Sequence, residues 1–111
     1  MKIIIYGAND MTAAIATEFF EDHDVIVIDP NKKNLESFSH LDVGVICADA
    51  INIKSLKEAN IKECDIFIAV SDSDEANIIA CLMVRQVSMS QTICFIKKKE
   101  SRDNNFYTSF W

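Results

Sequence analysis

Lys2-Ile3-Ile4-Ile5-Tyr6-Gly7-Ala8-Asn9-Asp10-Met11-Thr12 is the stretch on which the fold turns. A short aliphatic run without polar alternation reads as a strand buried on both faces, and such strands belong to parallel sheets covered by helices. Gly7 ends the run in a tight turn. Over residues 11–22 the apolar positions Met11, Ile15 and Phe19, with small Ala14 beside them, repeat at helical spacing and predict a face laid on the sheet.

The same alternation continues outward from this unit. Val25-Ile26-Val27-Ile28 is a second β-branched run, and Asp29-Pro30-Asn31 combines a strand stop with a helix start. Leu35, Phe38 and Leu41 mark a shorter helix, and residues 43–47 form a third strand closing on Ala48-Asp49-Ala50. Asn52 caps a brief helix carrying Leu56 and Ala59, and residues 64–70 read as the fourth strand. In Ser71-Asp72-Ser73-Asp74-Glu75, Asp72 as N-cap and Glu75 three residues later fit a capping box for a helix to about residue 87. Residues 92–96 are the fifth strand. No linker or repeat interrupts the series, so one domain over residues 1–111 is expected. The fold class is α/β: a three-layer, Rossmann-like doubly wound parallel sheet with strand order 3-2-1-4-5. Ligands of such sheets bind beyond the carboxyl ends of strands one and four, and Gly7, Asp29, Asp49 and Ser71 all fall at carboxyl ends.

Composition bounds the function. Hydrophobic residues at 50% and only two glycines and one proline describe a chain that builds a core. A net charge of −6 argues against nucleic acid as a partner, because phosphate backbones are held by lysine and arginine. Lys97-Lys98-Lys99 is the one basic cluster and reads as a solvated strand end. Cys47, Cys64, Cys81 and Cys94 show no C-x-x-C pair and lie in apolar runs, so reduced core thiols and a cytoplasmic setting are expected, redox sensing being the alternative. His23 and His40 stand alone and are assigned no role. No stretch reaches the roughly 20 apolar residues of a membrane helix, and the first residues run into a strand, so neither membrane insertion nor a signal peptide is expected.

A dinucleotide fingerprint uses glycines for a tight turn, for close approach to pyrophosphate and for helix–strand packing. Here only Gly7 remains, with Asn9 and Thr12 at the other two positions. Asn9 tolerates left-handed backbone angles but crowds the phosphate approach, Asp10 adds a like charge, and Thr12 adds bulk where the helix meets the sheet. The loop therefore reads either as a binding loop or as a plain strand–helix turn. Asp29, 22 residues after Gly7, is placed to accept ribose hydroxyls of an adenosine moiety; as a pure ligand residue it would matter little to stability. Its alternative role is to cap the following helix. Asp72, Asp74 and Glu75 read as helix-dipole partners rather than as a metal site. No G-x-S-x-G elbow, Walker loop or paired metal carboxylates appear, and an enzyme is not expected.

The combination of Ile3-Ile4-Ile5-Tyr6-Gly7, Val27-Ile28-Asp29, Ala48-Asp49-Ala50 and Ala69-Val70-Ser71-Asp72-Ser73-Asp74-Glu75-Ala76-Asn77, with Ala80 and Cys81 in register, resembles the Trk-type potassium-uptake regulator N-terminal domain, or RCK N domain. The resemblance covers about residues 2 to 97. It implies a cytosolic regulatory domain that binds NAD(H), ATP, AMP or a related adenine nucleotide to control potassium flux. Its partner would be the membrane subunit of a potassium channel or transporter, with assembly as a homodimer or ring and attachment to the inner membrane face through that subunit. Carried over by position, Gly7 and Asn9, with Asp10 and Met11 beside them, would face the pyrophosphate. Asp29 would face the ribose, Asp49 and Ala50 the adenosine end, and Ser71 and Asp72 the rim. Ala48 stands where the family usually has glycine. Against full-length relatives the chain is expected to stop at Trp111, ahead of a sixth strand, a crossover helix and a ligand-sensing C-terminal lobe, as a fragment or excised domain. The alternatives are a nucleotide-blind assembly module and an NAD-dependent oxidoreductase fragment.

Over residues 77–88, Ile78, Ile79, Ala80, Leu82, Met83, Val84 and Val87 spread around more of the helix than docking on one sheet face requires, leaving Asn77, Arg85 and Ser88 on the remaining arc. A second buried contact is expected, most simply a two-fold homodimer, with a further C-terminal segment as the alternative cover.

Overall fold

The computed structural model describes residues 1–50 and 52–97 and the backbone of residues 106–110. The elements are β1 (Lys2–Tyr6), α1 (Asp10–Phe19), β2 (Asp24–Asp29), α2 (Lys32–Glu36), β3 (Gly44–Cys47), α3 (Ile53–Glu58), a 3-10 turn (Ile61–Glu63), β4 (Ile66–Ala69), α4 (Asp74–Val87), β5 (Gln91–Ile96) and β6 (Phe106–Phe110). They form one sheet in the order β3-β2-β1-β4-β5-β6. The first five strands run parallel, with Ile5 of β1 opposite Val27 on one side and Ile68 on the other. This is the expected 3-2-1-4-5 order. The expectation that the chain stops short of a sixth strand is corrected: residues 106–110 add one, antiparallel to β5, a common edge addition to parallel sheets.

Successive side chains of a strand point to opposite faces, and the aliphatic runs supply both. Ile3 and Ile5 join Val25, Val27, Ile68, Ala16, Leu35 and Phe38 in a core beneath α1 and α2. Ile4 and Tyr6 join Ile28, Phe67, Leu56, Ala80, Cys81 and Val84 in a second core beneath α3 and α4. Two cores on either side of one sheet make the three layers.

Four local expectations need correction. Helix α1 does not dock through Met11 and Phe19, which are exposed; Thr12 and Ala16 are the buried positions, with Ala13, Ile15 and Phe20 packed beside them. Small residues win because the helix starts close to the sheet at the Gly7 turn. Asn77 lies on the buried side of α4 with Ala80, Cys81 and Val84, not on the outer arc. Cys47 is exposed because β3 is an edge strand, whereas Cys64, Cys81 and Cys94 are buried and burial pushes all three thiols up. Helix α4 is capped by Ser73, whose side chain accepts from Ala76 N, rather than by Asp72, so no capping box forms. Asn52 caps α3 as expected. His40 is exposed, and half-buried His23 lies 3.1 Å from the N-terminal amine. Lys97 is exposed; Lys98, Lys99 and Trp111 lie outside the described residues.

Candidate functional site

The strand order reverses between β1 and β4, and the loops leaving these two strands are locked together there. Gly7 has φ +108°, and a Cβ at this position would stand 2.7 Å from Ser71 N and 2.8 Å from Ser71 Cα. Only glycine satisfies both the backbone angle and the contact. Gly7 N donates to Ile28 O and Val70 N to Tyr6 O, each at 2.8 Å, which carries the sheet pairing to the rim of the crevice.

Asn9 adopts an extended, not left-handed, backbone (φ −144°) and is the N-cap of α1. Its Oδ1 accepts from Thr12 N at 3.2 Å, and its Nδ2 donates to Val70 O at 2.7 Å. Thr12 is fully buried, and its hydroxyl donates to Gly7 O, with Asn9 Oδ1 also in reach at 3.2 Å. The bulk expected to strain the helix–sheet contact is thus turned inward and hydrogen-bonded. Asp10 and Met11, the first residues of α1, have exposed side chains.

Asp29 is only 7% exposed. Its Oδ2 accepts from Ala8 N at 2.8 Å, and its Oδ1 accepts from Asn31 N at 2.7 Å and Asn34 Nδ2 at 3.4 Å. The cap of α2 is Asn31, whose side chain accepts from Lys33 N. Asp29 instead clamps the β1–α1 loop to the turn before α2. A carboxylate has about four acceptor positions, so these three bonds leave one, on Oδ2.

Tyr6 belongs to this site, although its place in an aliphatic run hid it. Its ring is buried at 4% exposure, and its hydroxyl donates to Asp49 Oδ1 at 3.4 Å. Burial, the charge and hydrogen bond of Asp49 and the charge of Asp29 push the phenol up to about 12, against a smaller opposing hydrogen bond with Ser71. One hydroxyl therefore feels the ends of β2, β3 and β4 together. Asp49 itself is exposed, and Ala50 is fully buried in the core beneath α3 and α4, so its side chain offers a ligand no surface.

Asn77 was also not legible as a site residue. At 1% exposure its Oδ1 accepts from Ser71 N (2.9 Å) and Ser71 Oγ (2.6 Å), while its Nδ2 donates to Ser71 O (3.0 Å) and Phe95 O (2.9 Å). This amide fixes the β4–α4 rim to the end of β5. Asp74 Oδ1 adds a bond from Lys97 N at 2.8 Å, and Asp72 is exposed on the loop between. The structure thus brings together Gly7, Asn9, Asp29 and Ser71, joined to Asp49 through Tyr6. Among the described residues no three His, Cys, Asp or Glu side chains converge as a metal site, and no helix is long and apolar enough to cross a membrane.

An adenine dinucleotide would need ribose acceptors at the end of β2 and open backbone at the second fingerprint position. Asp29, with Asp49 and Tyr6 nearby, fits the adenosine end; the anchored side chain of Asn9 does not fit the pyrophosphate.

A family model for the TrkA-N domain matches residues 3–109. A Trk system potassium uptake protein TrkA homolog from Archaeoglobus fulgidus is 33% identical over 93% of this chain and 24% of its own length. A homolog of the same name from Methanothermobacter thermautotrophicus is 33% identical over 93% of this chain and 49% of its own. The chain thus spans less than half the length of these relatives. Among solved structures, a 3-hydroxyacyl-CoA dehydrogenase from Archaeoglobus fulgidus superposes with a TM-score of 0.65 at 18% identity, covering 87% of this chain and 36% of that one. At that identity the likeness concerns the fold.

Proposed function

The chain belongs to the TrkA-N domain family, and from that premise we propose that it is a non-enzymatic regulatory domain controlling potassium flux by binding an adenine nucleotide. The ligand is an adenine nucleotide of the ATP/AMP or NAD(H) class, NAD(H) being the poorer fit because Asn9 is anchored at the pyrophosphate position, and the partner is the membrane subunit of a potassium channel or transporter. The domain works in the cytoplasm, held at the inner membrane face by that subunit. The observation that carries the reading is the Gly7 turn at the point where strand order reverses, with Asp29 bonded into it from the end of β2.

Self-association is part of the proposal. Ile79 at 45% and Leu82 at 51% exposure put large aliphatic side chains on the open side of α4, and Met89 follows fully exposed. A homodimer, alone or within a ring, covers that strip.

A second reading, a nucleotide-blind assembly module, draws support from the internal bonds that occupy Asp29 and Asn9. Calorimetric titration of the purified chain with adenosine, AMP, ATP, NAD+ and NADH separates the two. Saturable binding of at least one is expected. Absence of heat with all five would leave the assembly module.

A further inference from the structure

We infer that Asn9 closes this crevice to dinucleotides, so that it takes only the adenosine side of a nucleotide, as a nucleoside or nucleoside monophosphate. The inference rests on the adenine-nucleotide reading above and narrows it. In a doubly wound sheet a dinucleotide lies across the point where strand order reverses, its pyrophosphate passing over the glycine loop and the first helix N-terminus. Here that point is the boundary between β1 and β4, and Asn9 spans it. From the loop after β1 its Nδ2 reaches Val70 O, just past β4, at 2.7 Å, while its Oδ1 holds Thr12 N on α1.

Anchoring matters more than bulk. A side chain free to rotate would swing aside for a phosphate, but Asn9 is held at both ends. Val70 is buried, and moving Asn9 removes the donor to its carbonyl and uncaps α1 together. Beneath it the space is taken, because the Gly7 and Ser71 backbones lie so close that a Cβ on Gly7 would stand 2.7 Å from Ser71 N. The first turn of α1 carries Asp10 and no basic residue, so each added phosphate meets a like charge. The adenosine side keeps the remaining acceptor of Asp29, with Asp49 and the Tyr6 hydroxyl nearby.

The test is calorimetric titration of adenosine, AMP and NAD+ into the wild-type chain and the Asn9→Gly and Asn9→Ser variants, each first shown folded by thermal melting. Serine keeps a hydroxyl able to cap Thr12 N but is too short to reach Val70 O, so this variant keeps the experiment decisive should glycine uncap the helix. Wild type is expected to bind AMP about tenfold or more tighter than NAD+, the scale of one buried hydrogen bond that the dinucleotide must break. In both variants NAD+ should gain about tenfold while AMP changes by less than about twofold. Wild-type NAD+ affinity equal to that of AMP, or an unchanged AMP-to-NAD+ ratio in Asn9→Ser, overturns the inference and leaves the adenine-nucleotide reading standing. No binding of any of the three ligands to any of the three proteins overturns the inference, and with ATP and NADH silent as well it overturns the adenine-nucleotide reading too.

Discussion

Replacing Asp29 with alanine should destabilise the fold as well as any ligand complex, which a residue kept only for a ribose would not do. The magnitude follows from its three bonds. Ala8 N is buried, and losing its charged acceptor at 2.8 Å leaves a donor unsatisfied, at a cost of about 1–3 kcal/mol. Asn31 N is on an exposed residue, so water replaces much of its 2.7 Å bond and the loss is about 0.5–1 kcal/mol. The 3.4 Å contact from Asn34 Nδ2 is long and adds a few tenths at most, roughly. Together these give about 2–4 kcal/mol, or roughly 10–20 °C in Tm for a domain of this size. The assay is urea denaturation of wild type, Asp29→Ala and Asp29→Asn followed by circular dichroism. Asparagine keeps one acceptor oxygen but turns an NH2 toward the other N–H group, so it should fall between the two. An Asp29→Ala midpoint corresponding to less than about 0.5 kcal/mol would refute the clamp and return Asp29 to a pure ligand role.

Gly7→Ala should cost about 3 kcal/mol or more, since φ +108° and a 2.7 Å approach to Ser71 N act against the same methyl; a soluble variant with wild-type Tm would contradict the contact. Burial and the charge of Asp49 push the Tyr6 phenol up to about 12 from an ordinary value of 10.0, so its contribution is intact below pH ~10 and is lost as pH rises toward ~12, by about 1–2 kcal/mol because the hydroxyl faces exposed Asp49 and is partly screened by water. Tyr6→Phe should therefore flatten the alkaline decline in stability by that amount, and superimposable wild-type and variant curves up to pH ~12 would refute the buried phenol. For self-association, wild type should sediment as a dimer at micromolar concentration and Ile79→Glu with Leu82→Glu as a monomer. These two are preferred to Met83 and Val87, which pack against the core, and a wild-type monomer would refute the interface.

The strands and their order were legible because their signal is local. Ile3-Ile4-Ile5 and Val25-Ile26-Val27-Ile28 are short, β-branched and apolar at consecutive positions, as a strand covered on both faces requires, and alternation with helices then restricts the topology. The docking face of α1 was not legible by hydrophobicity, since Met11 and Phe19 are its larger apolar residues yet closeness to the sheet selects Thr12 and Ala16 by size. Exposure of Cys47 follows from β3 standing at the sheet edge, which the expected strand order already implied but the apolar run around Cys47, read by itself, did not. Asp72 and Ser73 are equally good cap residues in sequence, and the structure uses Ser73, with Asp74 in the first turn of α4 tied to Lys97 N.

The site shows the same division more sharply. That Gly7, Asp29, Asp49 and Ser71 share one rim follows from the strand ends alone, but what each side chain does depends on partners far away in sequence. Asn9 meets Val70 across 61 residues, Tyr6 meets Asp49 across 43, and Asp29 meets Ala8 across 21. Read singly, Asn9 and Thr12 are two losses from a glycine fingerprint. In the structure they form one unit, Asn9 capping Thr12 N while the Thr12 hydroxyl lies between Gly7 O and Asn9 Oδ1. Thr12 is fully buried and packs between α1 and the sheet, so only Asn9 stands at the crevice. Restoring glycine at both positions would therefore mix two effects. At residue 9 it would open the path across β1 and β4, whereas at residue 12 it would remove a packed, hydrogen-bonded side chain and add backbone freedom to the first turn of α1, weakening the helix that any phosphate must rest on.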